Sequence, residues 1–177
     1  MPTSNKTITT TTYSYPMRYV PAQLSGKDKK RQVQLINRSK KLYSKHIYYT
    51  RPPVKTFKSK PSHHVMNAKN MYNVEKIYPN KELSIKTGCS VAGLKQIVRK
   101  GEGAYFSSGS RPNQTAQSWG IARLASALTS GKSAAVDFPI IEKECDHNKR
   151  AYKLATKAVK KYGKGGHYKT RKRTIRI

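Results

Sequence analysis

Acidic side chains are the scarcest feature of this sequence: in 177 residues, 8 Asp and Glu stand against 37 Lys and Arg, for a formal net charge of +29. So few carboxylates cannot neutralise the cations from within, and a chain this basic repels itself unless something acidic binds it. DNA, RNA, an anionic membrane surface and an acidic protein shell all qualify on charge alone. The same scarcity weakens any paired-carboxylate chemistry. Glu102, Asp137, Glu142 and Glu144 are the only acids in the central part, and they read as charge balance. Cysteine is nearly absent: Cys89 and Cys145 lack close spacing, and two reduced thiols of a cytosolic or nuclear-type compartment are expected. A Cys89–His147 nucleophile pair reads less well than an inert thiol. Neither Cys145 with His147 nor the adjacent His63 and His64 has zinc-ligand spacing, so no metal and no cofactor are expected. Long apolar runs are missing too, which excludes a spanning helix. The opening "MPTSNKTITTTTYSYP" has no apolar centre of a signal peptide, so secretion is not expected.

What is present is unevenly spread. Residues 1–88 carry 18 Lys and Arg against 3 acids, residues 89–145 carry 7 against 4, and residues 146–177 carry 12 against 1. A nearly neutral centre therefore sits between basic flanks, and four parts follow. Residues 1–25 form an extended arm, the first dozen threonine-rich and without periodicity. Residues 26–88 hold a lysine-rich helix from about 26 to 44, with Val33, Ile36, Leu42 and Tyr43 near helical spacing, then a basic segment extended by Pro52, Pro53 and Pro61. "HVMNAKNMYNVEKI" reads as a short helix ending before Pro79. Residues 89–162 form the compact central domain, and 163–177 a basic tail whose alternation suits an extended tail or a paired edge strand.

The centre carries the core pattern. Ser90 caps a helix with Val91, Leu94, Ile97 and Val98 on one face and Gly101 as its stop. Thr115 caps a second, with Trp119, Ala122, Leu124, Ala125 and Leu128 as its apolar stripe before Gly131. Trp119 reads as core rather than as a base-stacking residue. "SAAVDFPII" reads as a short strand made irregular by Pro139. A third helix runs from Asp146 to Tyr162 over Ala151, Leu154, Ala155, Ala158 and Val159, and Gly163, Gly165 and Gly166 end it. The fold class is mainly α with minor β: a small helical centre, short strands and long basic arms.

"GAYFSSGSRPNQT" with "SWGIARLASA", "YVPAQLSGKDKKRQVQLINRSKKLYSK" and "TRPPVKTFKSKPSHH" resembles a family of small basic proteins of large nucleocytoplasmic DNA viruses, the group that includes algal and giant viruses. The similarity runs from Tyr19 to Asp137. It implies a virion protein inside the capsid, present in host cytoplasm or nucleus during assembly, with capsid proteins and genomic DNA as partners and an inner viral membrane as a peripheral contact. It carries over no functional residue.

Two functions follow from resemblance and charge together. The first is a non-enzymatic minor capsid or cement protein on the inner face of the shell. The alternative is a sequence-independent DNA-binding protein for packaging, with Lys29, Lys30, Arg31, Arg38, Lys40, Lys41, Arg51, Lys55, Lys58, Lys60, Lys160, Lys161, Arg171, Lys172 and Arg173 as its polyanion contacts. Tyr43, Tyr48, Tyr49, Phe57, Tyr162 and Tyr168 interleave with these cations and offer faces to bases or protein. The stretch "GEGAYFSSGSRPNQT" reads chiefly as a structural turn, because it lacks a P-loop or dinucleotide signature. If it binds an anion, Ser107, Ser108, Ser110 and Arg111 are the contacts.

Overall fold

The computed structural model describes residues 10–166 and 170–177. The threonine-rich residues 1–9 and Tyr168 lie outside the described residues. Among those described, the order is β1 (Thr12–Pro16), α1 (Gly26–Tyr43), α2 (His63–Tyr72), α3 (Lys81–Thr87), α4 (Val91–Ser107), α5 (Ala116–Leu128), α6 (Lys132–Val136), α7 (Phe138–Glu144), α8 (Arg150–Tyr162), a glycine turn at Lys164–Gly166 and β2 (Lys172–Arg176). The protein is mainly α, with one two-stranded sheet among the described residues. No described helix is long and apolar enough to cross a membrane.

Side-chain caps set most helix starts. Ser25, Ser62, Asn80, Ser90 and Thr115 each accept a backbone N–H from the first turn of the helix that follows, and Thr115 and Ser118 close a reciprocal capping box. The two central helices then cross closely. A Cβ on Gly101 would lie 2.6 Å from Gly120 Cα, and one on Gly120 would lie 2.7 Å from the Val98 carbonyl oxygen. Gly101 therefore does not stop α4. It stays helical and lets α5 approach, and the helix ends at Ser107, with the Ser108 N–H donating to Ala104.

"SAAVDFPII" is not a strand. Pro139 falls in the first turn of α7, where its missing N–H leaves no hydrogen bond unmade, and the apolar run divides between α6 and α7. Helix α8 starts at Arg150 rather than at Asp146, because the Asp146 N–H donates to the Gly88 carbonyl at 2.8 Å and the Ser90 N–H to Glu144 at 2.7 Å. Those bonds set Cys89 against Cys145 in an isolated antiparallel bridge, and the two form a disulfide. The expectation of two reduced thiols is corrected: tertiary pairing of the α3–α4 and α7–α8 junctions brings together residues 56 positions apart.

Two apolar clusters result. The main one runs from Ala68 and Tyr72 through Leu94, Ile97, Leu124 and Leu128 to Ala151, Ala155 and Ala158, so α2 and α3 share a core with α4–α8. The smaller one joins Tyr15, Tyr19, Val20, Leu24, Val33, Ile36 and Val54, with half-buried Trp119 packed on it. It is closed by the two ends of the described chain, since β1 pairs antiparallel with β2 from Thr12 opposite Arg176 to Pro16 opposite Lys172. Both arms expected to be extended thus hold each other.

Candidate polyanion-binding surface

The glycine- and serine-rich stretch is a clasp. After α4 ends, Ser110 is 1% exposed, and its hydroxyl accepts from Arg51 Nη2 at 2.7 Å and donates to the Arg111 carbonyl. Arg51, only 7% exposed, also donates through Nη1 to Ser39 Oγ at 3.0 Å and the Tyr105 carbonyl at 2.8 Å, with its guanidinium 3.7 Å from the Tyr105 ring centre. Burial lowers its pKa, against the pull of Tyr105, Tyr19 and Tyr49. Further along, Asn113 accepts the Val54 N–H and donates to the Val54 and Phe57 carbonyls, while Gln32 reaches the Tyr19 and Ser110 carbonyls from α1. Asp28 accepts both the N–H and the hydroxyl of Thr56, bonds that hold its carboxyl below the usual range. The proline-rich segment is thereby laced to the turn on one side and to α1 on the other.

This geometry withdraws Arg51 and Ser110 from the expected ligand contacts, because each is enclosed and spends its polar atoms on internal partners. Ser107 and Ser108 are exposed but lie at the C-terminal end of α4, where the helix presents carbonyl oxygens and disfavours an anion. Arg111 is exposed next to them. Partial desolvation chiefly, then the charges of His63 and Arg111, lower the pKa of the surface residue His64. The Ser118 N–H in the first turn of α5 and the Thr115 N–H before it are served by the Thr115–Ser118 box.

The largest groups of solvent-facing cations lie on helices α1 and α8. On α1, Lys27, Lys30, Arg31, Arg38 and Lys41 are exposed opposite buried Val33 and Ile36, Lys29 is half-buried, and exposed Lys40 lies on the Val33–Ile36 side over the Tyr15 ring. On α8, Lys153, Lys157, Lys160 and Lys161 are exposed opposite Ala151, Ala155 and Ala158, and the helix carries no acid. Lys55, Lys58 and Lys60 are exposed on the laced segment, as are Arg171 and Lys172 at β2, where half-buried Arg173 donates to the Val20 carbonyl. Strand β2 packs on α1 and follows α8 in the chain. The acids do little to offset these charges. Asp137, fully buried at the α6–α7 junction, takes Arg123 on both oxygens at 2.7 and 2.8 Å and Lys100 at 2.9 Å, and these are the ion pairs found among the described residues.

With Cys89 in a disulfide, a Cys89–His147 nucleophile pair is ruled out; His147 instead stacks on Tyr152 with ring centres 3.9 Å apart. Among the described residues no group of His, Cys, Asp and Glu is placed to hold a metal ion. A family model matches residues 16–150, from the end of β1 through the clasp and the α4–α5 crossing to the first residue of α8. The chain belongs to the family of unknown function DUF5824. No curated protein and no solved structure matches it. The α1 face and the clasp lie inside the matched region, and nearly all of the α8 face lies beyond it.

Sequence reasoning missed Lys153 and Lys157 as surface contacts. Their spacing with Lys161, four residues each time and set against alanines at 151, 155 and 158, is the signal that finds them. No such signal marks Arg51, which looks like any other basic residue of its segment until the fold encloses it.

Proposed function

We propose that this protein binds nucleic-acid phosphate backbones without reading sequence. The observation that carries this reading is the exposed face of α8, where Lys153, Lys157, Lys160 and Lys161 project with no acid on the helix to neutralise them. Such a face costs stability through self-repulsion and is offset when phosphates replace condensed counterions. The lysine and arginine face on α1 supplies a second group of exposed cations. Followed through the viral resemblance, the polyanion is packaged genomic DNA, and capsid proteins are the neighbours. Between the two readings of that setting, pairing of β1 with β2 favours DNA binding over a shell component anchored by loose arms, because the arms are already engaged with each other.

The test is binding to two duplexes of unrelated sequence across a salt series. Equal affinities that fall linearly on a log–log plot are expected, and K153Q/K157Q/K160Q/K161Q should flatten the slope by about 0.9 for every phosphate left unneutralised. Salt-insensitive binding, or strong preference for one duplex, would overturn the reading. Retention on particle shells after complete DNA digestion would replace it with the capsid role.

A further inference from the structure

The surface of α1 ends in an aromatic group that phosphate binding does not use. After Tyr43 the chain turns back at His46, which takes a φ of 59°, and the Ile47 N–H donates to the Leu42 carbonyl at 3.0 Å. This return places the Tyr48 ring edge-on to two partners, 5.2 Å from Phe106 and 5.9 Å from Tyr43, which are themselves stacked at 5.9 Å. Tyr48 is nevertheless 68% exposed, and Ile47 beside it 50%. Neighbouring rings are committed elsewhere: Arg38 lies over Tyr49 at 4.7 Å, and Tyr43 is covered by Phe106. Tyr48 is thus supported at its base and bare above, an arrangement that costs little entropy when a flat ligand stacks on it.

The charge around it selects the ligand. Lys41 on the last turn of α1 and Lys45 just past it are exposed, and the one acid of α1, Asp28, lies at the opposite end and is tied to Thr56. An exposed aromatic ring in a segment that also carries exposed cations suits a ligand with a flat π-face and flanking phosphates. We propose that Tyr48 is a stacking platform for an unpaired nucleobase, with Lys41 and Lys45 holding the flanking phosphates. This inference rests on the phosphate-binding reading and adds to it: a base inside a duplex cannot reach the ring, so the site distinguishes single strands, ends and bulges from paired nucleic acid.

Fluorescence anisotropy with oligo-dT and with a duplex of equal length, on the full chain, separates the two ideas. Y48A is expected to weaken oligo-dT binding by about five- to a hundred-fold while leaving duplex affinity and salt slope unchanged. Y48W should retain oligo-dT affinity, and Y48L, apolar but without a π-face, should lose it as Y48A does. Y48W should melt as the parent does, and Y48A and Y48L only slightly lower, by the loss of the edge-on contacts with Phe106 and Tyr43, so all three stay folded under binding conditions. If Y48A binds oligo-dT as the parent does while duplex binding persists, the platform is refuted and the phosphate reading stands. If the parent binds neither nucleic acid, both fall together.

Discussion

Arg51 shows what a single residue does when its charge is taken out of water. A guanidinium can be enclosed only if neutral acceptors and an aromatic face replace its hydration, and Ser39, Ser110, Tyr105 and the Tyr105 carbonyl do so here. Those partners come from α1, α4 and the turn after it, so one side chain joins three parts of the chain. R51A is expected to destabilise the protein by roughly 3 kcal/mol, since it removes several charge-assisted hydrogen bonds and leaves a cavity. R51K should not rescue it, because a lysine offers a point charge where a planar fork is needed. Urea unfolding with unchanged slope checks both. At moderate salt the duplex affinity per folded molecule should stay near that of the parent, which separates this arginine from the exposed ones. Nothing in "TRPPVK" distinguishes it, because burial of a cation depends on acceptors up to 59 residues away.

At the scale of elements, glycines of the same helix have opposite roles. Gly101 on α4 meets Gly120 of α5 at backbone contact, whereas a Cβ on Gly103 would meet only the Tyr43 hydroxyl at 3.7 Å. G120A should therefore cost about 1–3 kcal/mol through overpacking, despite the better helix propensity of alanine. G103A should instead stabilise by about 0.5–1 kcal/mol, as alanine does at an unhindered helical position. Thermal melts of the two variants side by side give the comparison. The stripe of α1 and the caps and stripes of α4 and α5 were legible in advance, since Ser90 and Thr115 act within three residues of themselves. The α4 end and the α6–α7 pair were not. A glycine that stops a helix and one that admits a neighbour look alike in sequence, and a short apolar run has the same composition as a strand or as two single helical turns.

For the whole molecule, one covalent link and one sheet close the chain on itself. The Cys89–Cys145 disulfide spans 56 positions and encloses α4 to α7, and loop-closure entropy gives it about 4 kcal/mol. Full-length protein unfolded without reductant should show no titratable thiol, and C89S/C145S should melt well below the parent. A thiol titre of two per chain with an unchanged melting temperature would contradict the structure. The sheet β1–β2 then seals the smaller core over α1, which steadies one basic face while α8, packed through its alanines on the main core, presents the other.

Composition and local pattern by themselves determined the strong positive charge, the mainly helical fold and the starts of α1, α2, α4 and α5, because charge is additive and a cap or an amphipathic stripe is decided within a few residues. Tertiary structure alone decided which cations stay outside, that Cys89 and Cys145 meet, that β1 and β2 pair, and that the turn after α4 is a clasp. Each of those depends on groups far apart in the chain, whose contact energies exist only once the helices have packed.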